Sequence, residues 1–321
     1  MVKGYGYQVE SHEVQTEDGY ILTLFRIPSG RDNSNQGGGD QQNSSGNKDG
    51  KRRAVFFMHG LMTNAESFIF GGPSVSMALN MADAGYDVYF GNSRGTVYGH
   101  KHTTWHDIGV KDIPALVDKV LSISGQATVS YIGHNEGTTA FYAMVSENPD
   151  YSDKFDRHIS LGPIVYMKNA DNEVFENIKN HYTDKSNVYF LFNGYNSKHL
   201  NQTTMDQVVP RIPSTASARE IHHFAQLMKY GNFQKYSEDS NGQDYDLSKV
   251  TTPVALFYTP EDHISNEEDV KNLASNLPNV YQQHKFEDLT NNVDLLWSEN
   301  MQNVYDQVKH ALEMETQKGD Q

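Results

Sequence analysis

Short apolar runs that end on glycine, asparagine or proline, each followed by a helical period, constrain this chain more than any other feature. Tyr20 to Ile27 reads as a strand, and Ala54 to Met58 as another that closes on His59-Gly60. Tyr86 to Phe90 closes on Gly91-Asn92, Thr128 to Ile132 on Gly133-His134, and Val254 to Tyr258 on Thr259-Pro260-Glu261-Asp262. Helical stretches separate and follow them: Ser74 to Ala84, Ile113 to Ser122, Thr138 to Glu147, Glu267 to Asn276 and Met301 to Glu313. Brief runs that are apolar throughout suit strands buried on both faces. The pattern predicts an α/β fold with a mostly parallel central sheet and helices on both sides. In such sheets the working residues collect at the carboxyl ends of the strands. The interval 168–236 breaks the alternation and reads as an inserted helical cap. The expected organisation is therefore a core in two parts, 1–167 and 237–321, with the cap at 168–236 between them.

Composition narrows the function classes. The 321 residues carry 26 Lys+Arg against 41 Asp+Glu, a net charge of −15. That balance argues against nucleic acid or an anionic membrane surface as a partner, since both would repel it. There is no cysteine, which removes disulfides, thiolate zinc sites and cysteine nucleophiles together. No run of about 18 apolar residues is present, so no spanning helix is expected. Met1-Val2-Lys3-Gly4-Tyr5-Gly6-Tyr7 lacks the apolar core of a signal peptide; the chain is either cytosolic or begins after processing. Residues 31–53 contain almost no apolar anchor and read as a disordered surface loop. Asn43-Ser44-Ser45 and Asn201-Gln202-Thr203 are glycosylation sequons, a pattern short enough to arise by chance.

The stretch from Thr128 to Met144 is a strand, a sharp turn and a helix, with the turn Gly133-His134-Asn135-Glu136-Gly137 in a Gly-x-x-x-Gly frame. This is the frame of a nucleophile elbow, in which the glycines let sheet and helix approach closely. Its central position should be serine, and here it is Asn135. A carboxamide has no ionisable proton and cannot form an acyl-enzyme. A literal Gly-x-Ser-x-Gly occurs at Gly91-Asn92-Ser93-Arg94-Gly95, also after a strand. The residues behind it, Thr96 to Trp105, show no helical period, whereas an elbow needs a helix N-terminus there. Ser93 is read as part of a structural loop, with a nucleophile as the rival.

Several stretches together resemble the acid lipases, the α/β-hydrolases that include gastric and lysosomal lipases. They are Val14-Gln-Thr-Glu-Asp-Gly-Tyr-Ile-Leu22, Phe57-Met-His-Gly-Leu61, Ala84 to Gly95, Tyr131 to Thr139, Leu161-Gly-Pro163, Phe257 to Asp262 and Asn291-Asn-Val-Asp-Leu-Leu-Trp297. The likeness spans nearly the whole chain apart from the polar loop, and it implies an α/β-hydrolase fold. It also implies a damaged site. The nucleophile position holds Asn135, the acid position keeps Asp262, and the family's Asn-His-Leu-Asp-Phe aligns with Asn291-Asn292-Val293-Asp294-Leu295, so the base position holds Asn292. An amide cannot take and return a proton as imidazole does. The oxyanion donors, the backbone amides of Leu61 and Glu136, are expected to remain. Glu136 replaces the family's usual glutamine, and its charge is expected to oppose a developing oxyanion.

Other residues read as structural. His59 fits the oxyanion loop and His134 packs at the elbow. His222-His223 belongs to the cap, where adjacent helical residues face apart. Asp262-His263 are sequence neighbours that do not face one point. No metal and no cofactor are expected. The chain is thus expected to be a lipase-like protein without catalysis. By resemblance the best-fitting role is storage, because the egg-specific yolk proteins of moths resemble this lipase family; that places the chain outside the cell, in yolk granules. The rivals are a carrier that holds lipid or fatty acid in the retained cleft, and an esterase using Ser93 or another serine. A homo-oligomer remains open.

Overall fold

The computed structural model describes residues 1–31, 51–96, 104–170, 199–200, 202–239 and 242–315. Eight strands, β1 (Glu10–Gln15), β2 (Ile21–Ile27), β3 (Ala54–Met58), β4 (Asp87–Gly91), β5 (Val129–His134), β6 (Phe155–Leu161), β7 (Val254–Tyr258) and β8 (Val280–Lys285), form one sheet. Their spatial order is β1-β2-β4-β3-β5-β6-β7-β8. β2 pairs antiparallel with β1 and β4, and every later pairing is parallel. This is the mostly parallel sheet expected from the alternation, in the arrangement that the resemblance implied.

Both faces of the sheet are covered, because alternate side chains of a strand point to opposite sides. From β3, Ala54, Phe56 and Met58 join one core with Trp105, Leu116 and Phe141. Val55 and Phe57 join the other with Met81, Trp297 and Val308.

Three strands went unread in the sequence. β1 and β8 lie at the sheet edges and are mostly polar, so neither shows an apolar run. β6 carries buried Arg157 and His158. The Arg157 guanidinium donates to the carbonyls of Ala311 and Met314 at the end of the last helix, at 2.6 and 3.0 Å, which lets a charge sit inside the core. Element ends also moved. Residues 72–74 form a separate 3₁₀ turn, and the helix Met77–Asp83 starts after Ser76, whose hydroxyl accepts the Leu79 amide at 3.1 Å. The helix after β5 begins at Glu136, earlier than the expected Thr138.

The polar loop needs a correction at its ends. Arg31 is held by Asp83, with its amide at 3.0 Å and its guanidinium at 2.7 Å. Arg53 pairs with Asp156, and the Lys51 ammonium reaches the Gly125 carbonyl at 2.9 Å. Charge pairing orders residues that composition alone assigned to the disordered loop. Residues 32–50, and with them Asn43, lie outside the described residues, as does Asn201.

In the interval expected as a cap, the described residues form helices Gln202–Val208 and Ala218–Tyr230. Between them the chain crosses the carboxyl ends of the central strands. The Ser214 amide donates to the Met62 carbonyl at 2.7 Å, beyond β3. The Thr215 hydroxyl donates to the Gly95 carbonyl at 2.6 Å, beyond β4.

Candidate functional site

Strand β5 ends at His134, and the turn that follows puts Asn135 at φ 53 and ψ −118. A non-glycine residue at this φ is strained by about 1–3 kcal/mol and persists only where the surroundings enforce it. Here the Asn135 amide donates to the Leu161 carbonyl of β6 at 3.0 Å, and the Thr138 amide donates back to Asn135 at 3.0 Å. Gly137 is needed for the close approach: a Cβ there would lie 2.4 Å from the Met58 carbonyl oxygen. The strained turn of an elbow is thus kept, although its side chain cannot be a nucleophile.

Strands β7 and β8 bring the other two positions to this point. Asp262, four residues beyond β7, is 4% exposed, and Asn292, in the loop after β8, is fully buried. Asp262 accepts the amides of Ile264 and Ser265 through Oδ1, each at 2.9 Å, and Asn292 Nδ2 through Oδ2 at 2.8 Å. Burial pushes its pKa above the usual aspartate value, against the pull of those donors. Only an amide nitrogen can face a carboxylate, so Asn292 turns Oδ1 toward Asn135, whose Nδ2 donates to it at 3.4 Å. The orientation of Asn135 follows in turn. Its Oδ1 accepts the backbone amides of Glu136 at 2.8 Å and Leu61 at 3.4 Å. The three side chains make a directional chain of hydrogen bonds from the backbone amides of Leu61 and Glu136 to Asp262.

Gly162, quoted in the sequence only as part of Leu161-Gly-Pro163 and given no role there, makes room for this chain of hydrogen bonds. It has φ +55, and a Cβ there would fall 2.0 Å from Asn292 Nδ2.

The histidines and Ser93 lie around the site without entering it. The buried His59 donates from Nδ1 to the Gly60 carbonyl at 2.9 Å, so its Nε2 accepts both the amide and the hydroxyl of Ser93, each at 3.2 Å. Burial lowers its pKa to about 4 and keeps it neutral. Ser93 is 3% exposed, and the next described helix begins only at Trp105. The Ser93–His59 contact ties the oxyanion loop after β3 to the end of β4. His134 is buried beside the Asn292 carbonyl at 3.3 Å, with its pKa lowered by burial to about 4. His223 stacks on Trp105 at 3.8 Å between ring centroids, while His222 reaches the Tyr236 hydroxyl at 3.2 Å. His263 is exposed beside the buried Asp262. Among the described residues no three or more acidic or histidine side chains gather as a metal site.

Glu136 reveals a residue that sequence reasoning missed. Its side chain is 4% exposed and lies against that of Glu220, 3% exposed, on the helix Ala218–Tyr230. Burial without an adjacent cation pushes the Glu136 pKa well above the usual glutamate value, and Glu220 raises it further. The helix N-terminus favours an anion by only about 0.3–1 kcal/mol, too little to reverse full burial. Burial therefore favours the neutral form of Glu136, in which the expected repulsion of an oxyanion is weakened. Ser217-x-x-Glu220 is legible as a capping box; that its glutamate meets the elbow is not.

With β7 and β8 delivering Asp262 and Asn292 to the turn after β5, the frame is that of an α/β-hydrolase. A family profile described as the α/β-hydrolase fold matches residues 53–289, and one for a partial α/β-hydrolase lipase region matches residues 1–72. Lipase 3 of Drosophila melanogaster is 31% identical, over 94% of this chain and 89% of the relative. Mouse gastric triacylglycerol lipase is 30% identical, over 96% and 89%. The chain belongs to the acid-lipase-like family of α/β-hydrolases. Among solved structures, an esterase from Exiguobacterium antarcticum superposes with a TM-score of 0.66 at 12% identity, covering 95% of this chain and all of the esterase. A thermophilic esterase from Thermogutta terrifontis gives 0.60 at 13% identity, over 94% and 98%. At those identities the likeness is one of fold. No helix among the described residues is long and apolar enough to cross a membrane.

Proposed function

We propose that this member of the lipase family does not hydrolyse esters and serves as a stored reserve protein. One observation carries the first half: the Asn135 carboxamide oxygen occupies the oxyanion amides of Glu136 and Leu61, while Asn292 fills the base position. A carbonyl substrate would have to expel that oxygen, and would then meet neither a nucleophile nor a base. The test is turnover of a short-chain chromogenic ester combined with fluorophosphonate labelling of the purified protein. We expect no turnover and no label; stoichiometric labelling of any serine would overturn the reading.

The storage half follows from the resemblance and is supported by the abandoned triad and the acidic, polar composition. It carries with it a secreted chain laid down in yolk, and quantifying the protein from egg to hatching checks it. Steady consumption is expected, and a constant level would refute it. Lipid carriage is the second reading, favoured by a mainly apolar hollow of about 240 Å³ whose lining includes Val2, Val9, Phe25, Ile27, Ile69 and Phe90. Native mass spectrometry of protein purified from its source separates the two, because a carrier arrives with lipid bound.

A further inference from the structure

We propose that the carboxyls of Glu136 and Glu220 form a proton-sharing latch, holding the helix Ala218–Tyr230 on the elbow under acidic conditions and releasing it as the pH rises. Glu136 is the first residue of the helix Glu136–Glu147, and Glu220 stands in the first turn of the helix Ala218–Tyr230. Both are buried, and their carboxyl groups lie within hydrogen-bonding reach of each other. Two carboxylates cannot hydrogen-bond, since each only accepts, so the contact requires a proton on one of them. Glu220 Oε2 also accepts the Ser217 amide at 3.2 Å. That capping bond marks Glu220 as the anionic partner and Glu136 as the acid.

Among the described residues, no uncommitted cation stands beside the pair to replace the proton. From the helical segment beginning at Trp105, Asp107 and Asp112 both bear on Glu220 with negative charge. The nearby cations are already committed: Arg94 to Asp112 at 2.7 Å and to Asp18 at 2.7 Å, and Lys111 to Asp107 at 3.1 Å. On the same helix as Glu220, His223 is stacked on Trp105 and held neutral by burial, its pKa lowered to about 4. His134, at the end of β5, is neutral for the same reason. Once the shared proton leaves, two buried negative charges face each other and two further carboxylates. Separation of the helices, which readmits water, relieves this.

The sign follows from linkage. Both carboxyl groups bind protons more tightly when the contact is closed than a free glutamate does. Closure is therefore complete below the ordinary glutamate range and weakens as the pH rises through the raised values. One proton lost on opening changes the closed-to-open ratio by up to about tenfold per pH unit in that window. The inference needs only the contact between the two helices and stands whether or not the site hydrolyses esters.

Hydrogen exchange read by mass spectrometry, corrected for the intrinsic pH dependence of exchange, tests it on the whole protein. Between pH 5 and pH 8 the segment Ala218–Tyr230 should lose at least about tenfold in protection, while Met301–Glu313 in the core stays unchanged. Glu136→Gln keeps a donor toward Glu220 without an ionisable proton, and should hold protection at pH 8. Glu136→Gln with Glu220→Gln should remove the pH dependence altogether. Equal protection of the segment at both pH values in the unmutated protein overturns the latch. So does a pH-dependent loss that persists in both variants, which would assign the opening to other groups such as Asp112. If the double variant fails to fold, the single one decides.

Discussion

Placing serine at position 135 and histidine at position 292 is the sharpest test of how the site is read. Asn135→Ser removes the carboxamide oxygen from the amides of Glu136 and Leu61, at 2.8 and 3.4 Å, and so vacates the oxyanion position. The new hydroxyl has no base, because Asn292 is an amide. The single variant should therefore show at most the residual catalysis of an oxyanion site without its triad. Asn292→His places an imidazole where the present side chain already touches Asp262 at 2.8 Å and faces Asn135 at 3.4 Å. General acid–base catalysis contributes about 10²–10⁴-fold, or about 3–5 kcal/mol of barrier. The three groups act as a unit, so the gain should appear only when both changes are present. The assay is turnover of a short-chain chromogenic ester, with fluorophosphonate labelling to count active serines and circular dichroism to confirm folding. Glu136→Gln in this background should raise the rate mainly toward alkaline pH, where the Glu136–Glu220 pair is ionised. A folded double variant no faster than Asn135→Ser alone would refute the reasoning, and would mean that position 292 is not the base position.

Two further substitutions probe the supports of the site. Ser93→Ala, made in the restored variant, should leave turnover within about twofold, since Ser93 is 3% exposed and its oxygen faces His59 at 3.2 Å. Complete loss of activity there, with the fold intact, would make Ser93 the nucleophile. Gly162→Ala should cost about 1–3 kcal/mol in chemical denaturation, from the positive φ and the collision with Asn292; an unchanged midpoint would show that Asn292 does not sit against this turn.

Reading the sequence reached the frame of the molecule because burial on both faces of a strand forces short, wholly apolar runs. Ala54–Met58 and Val254–Tyr258 could be placed to the residue for that reason. It reached less where a strand buries polar groups or little at all. β6 conceals Arg157 by pairing it with helix-terminal carbonyls, and β1 and β8 are mostly polar edge strands. The ends of the polar loop were misread because Arg31 and Arg53 find their partners, Asp83 and Asp156, 52 and 103 residues away.

At the site the division is similar. The residue types alone determined that positions 135 and 292 carry carboxamides rather than a hydroxyl and an imidazole, a chemistry that no fold alters. Which way those amides turn was decided by the tertiary structure, through the single constraint that Asp262 accepts and never donates when ionised. That constraint, passed along from Asn292 to Asn135, puts the Asn135 carboxamide oxygen on the backbone amides of Glu136 and Leu61. The state of Glu136 was decided there too. An isolated glutamate is charged at neutral pH; burial at the elbow first, and the arrival of Glu220 from 84 residues along the chain second, make its ionisation costly.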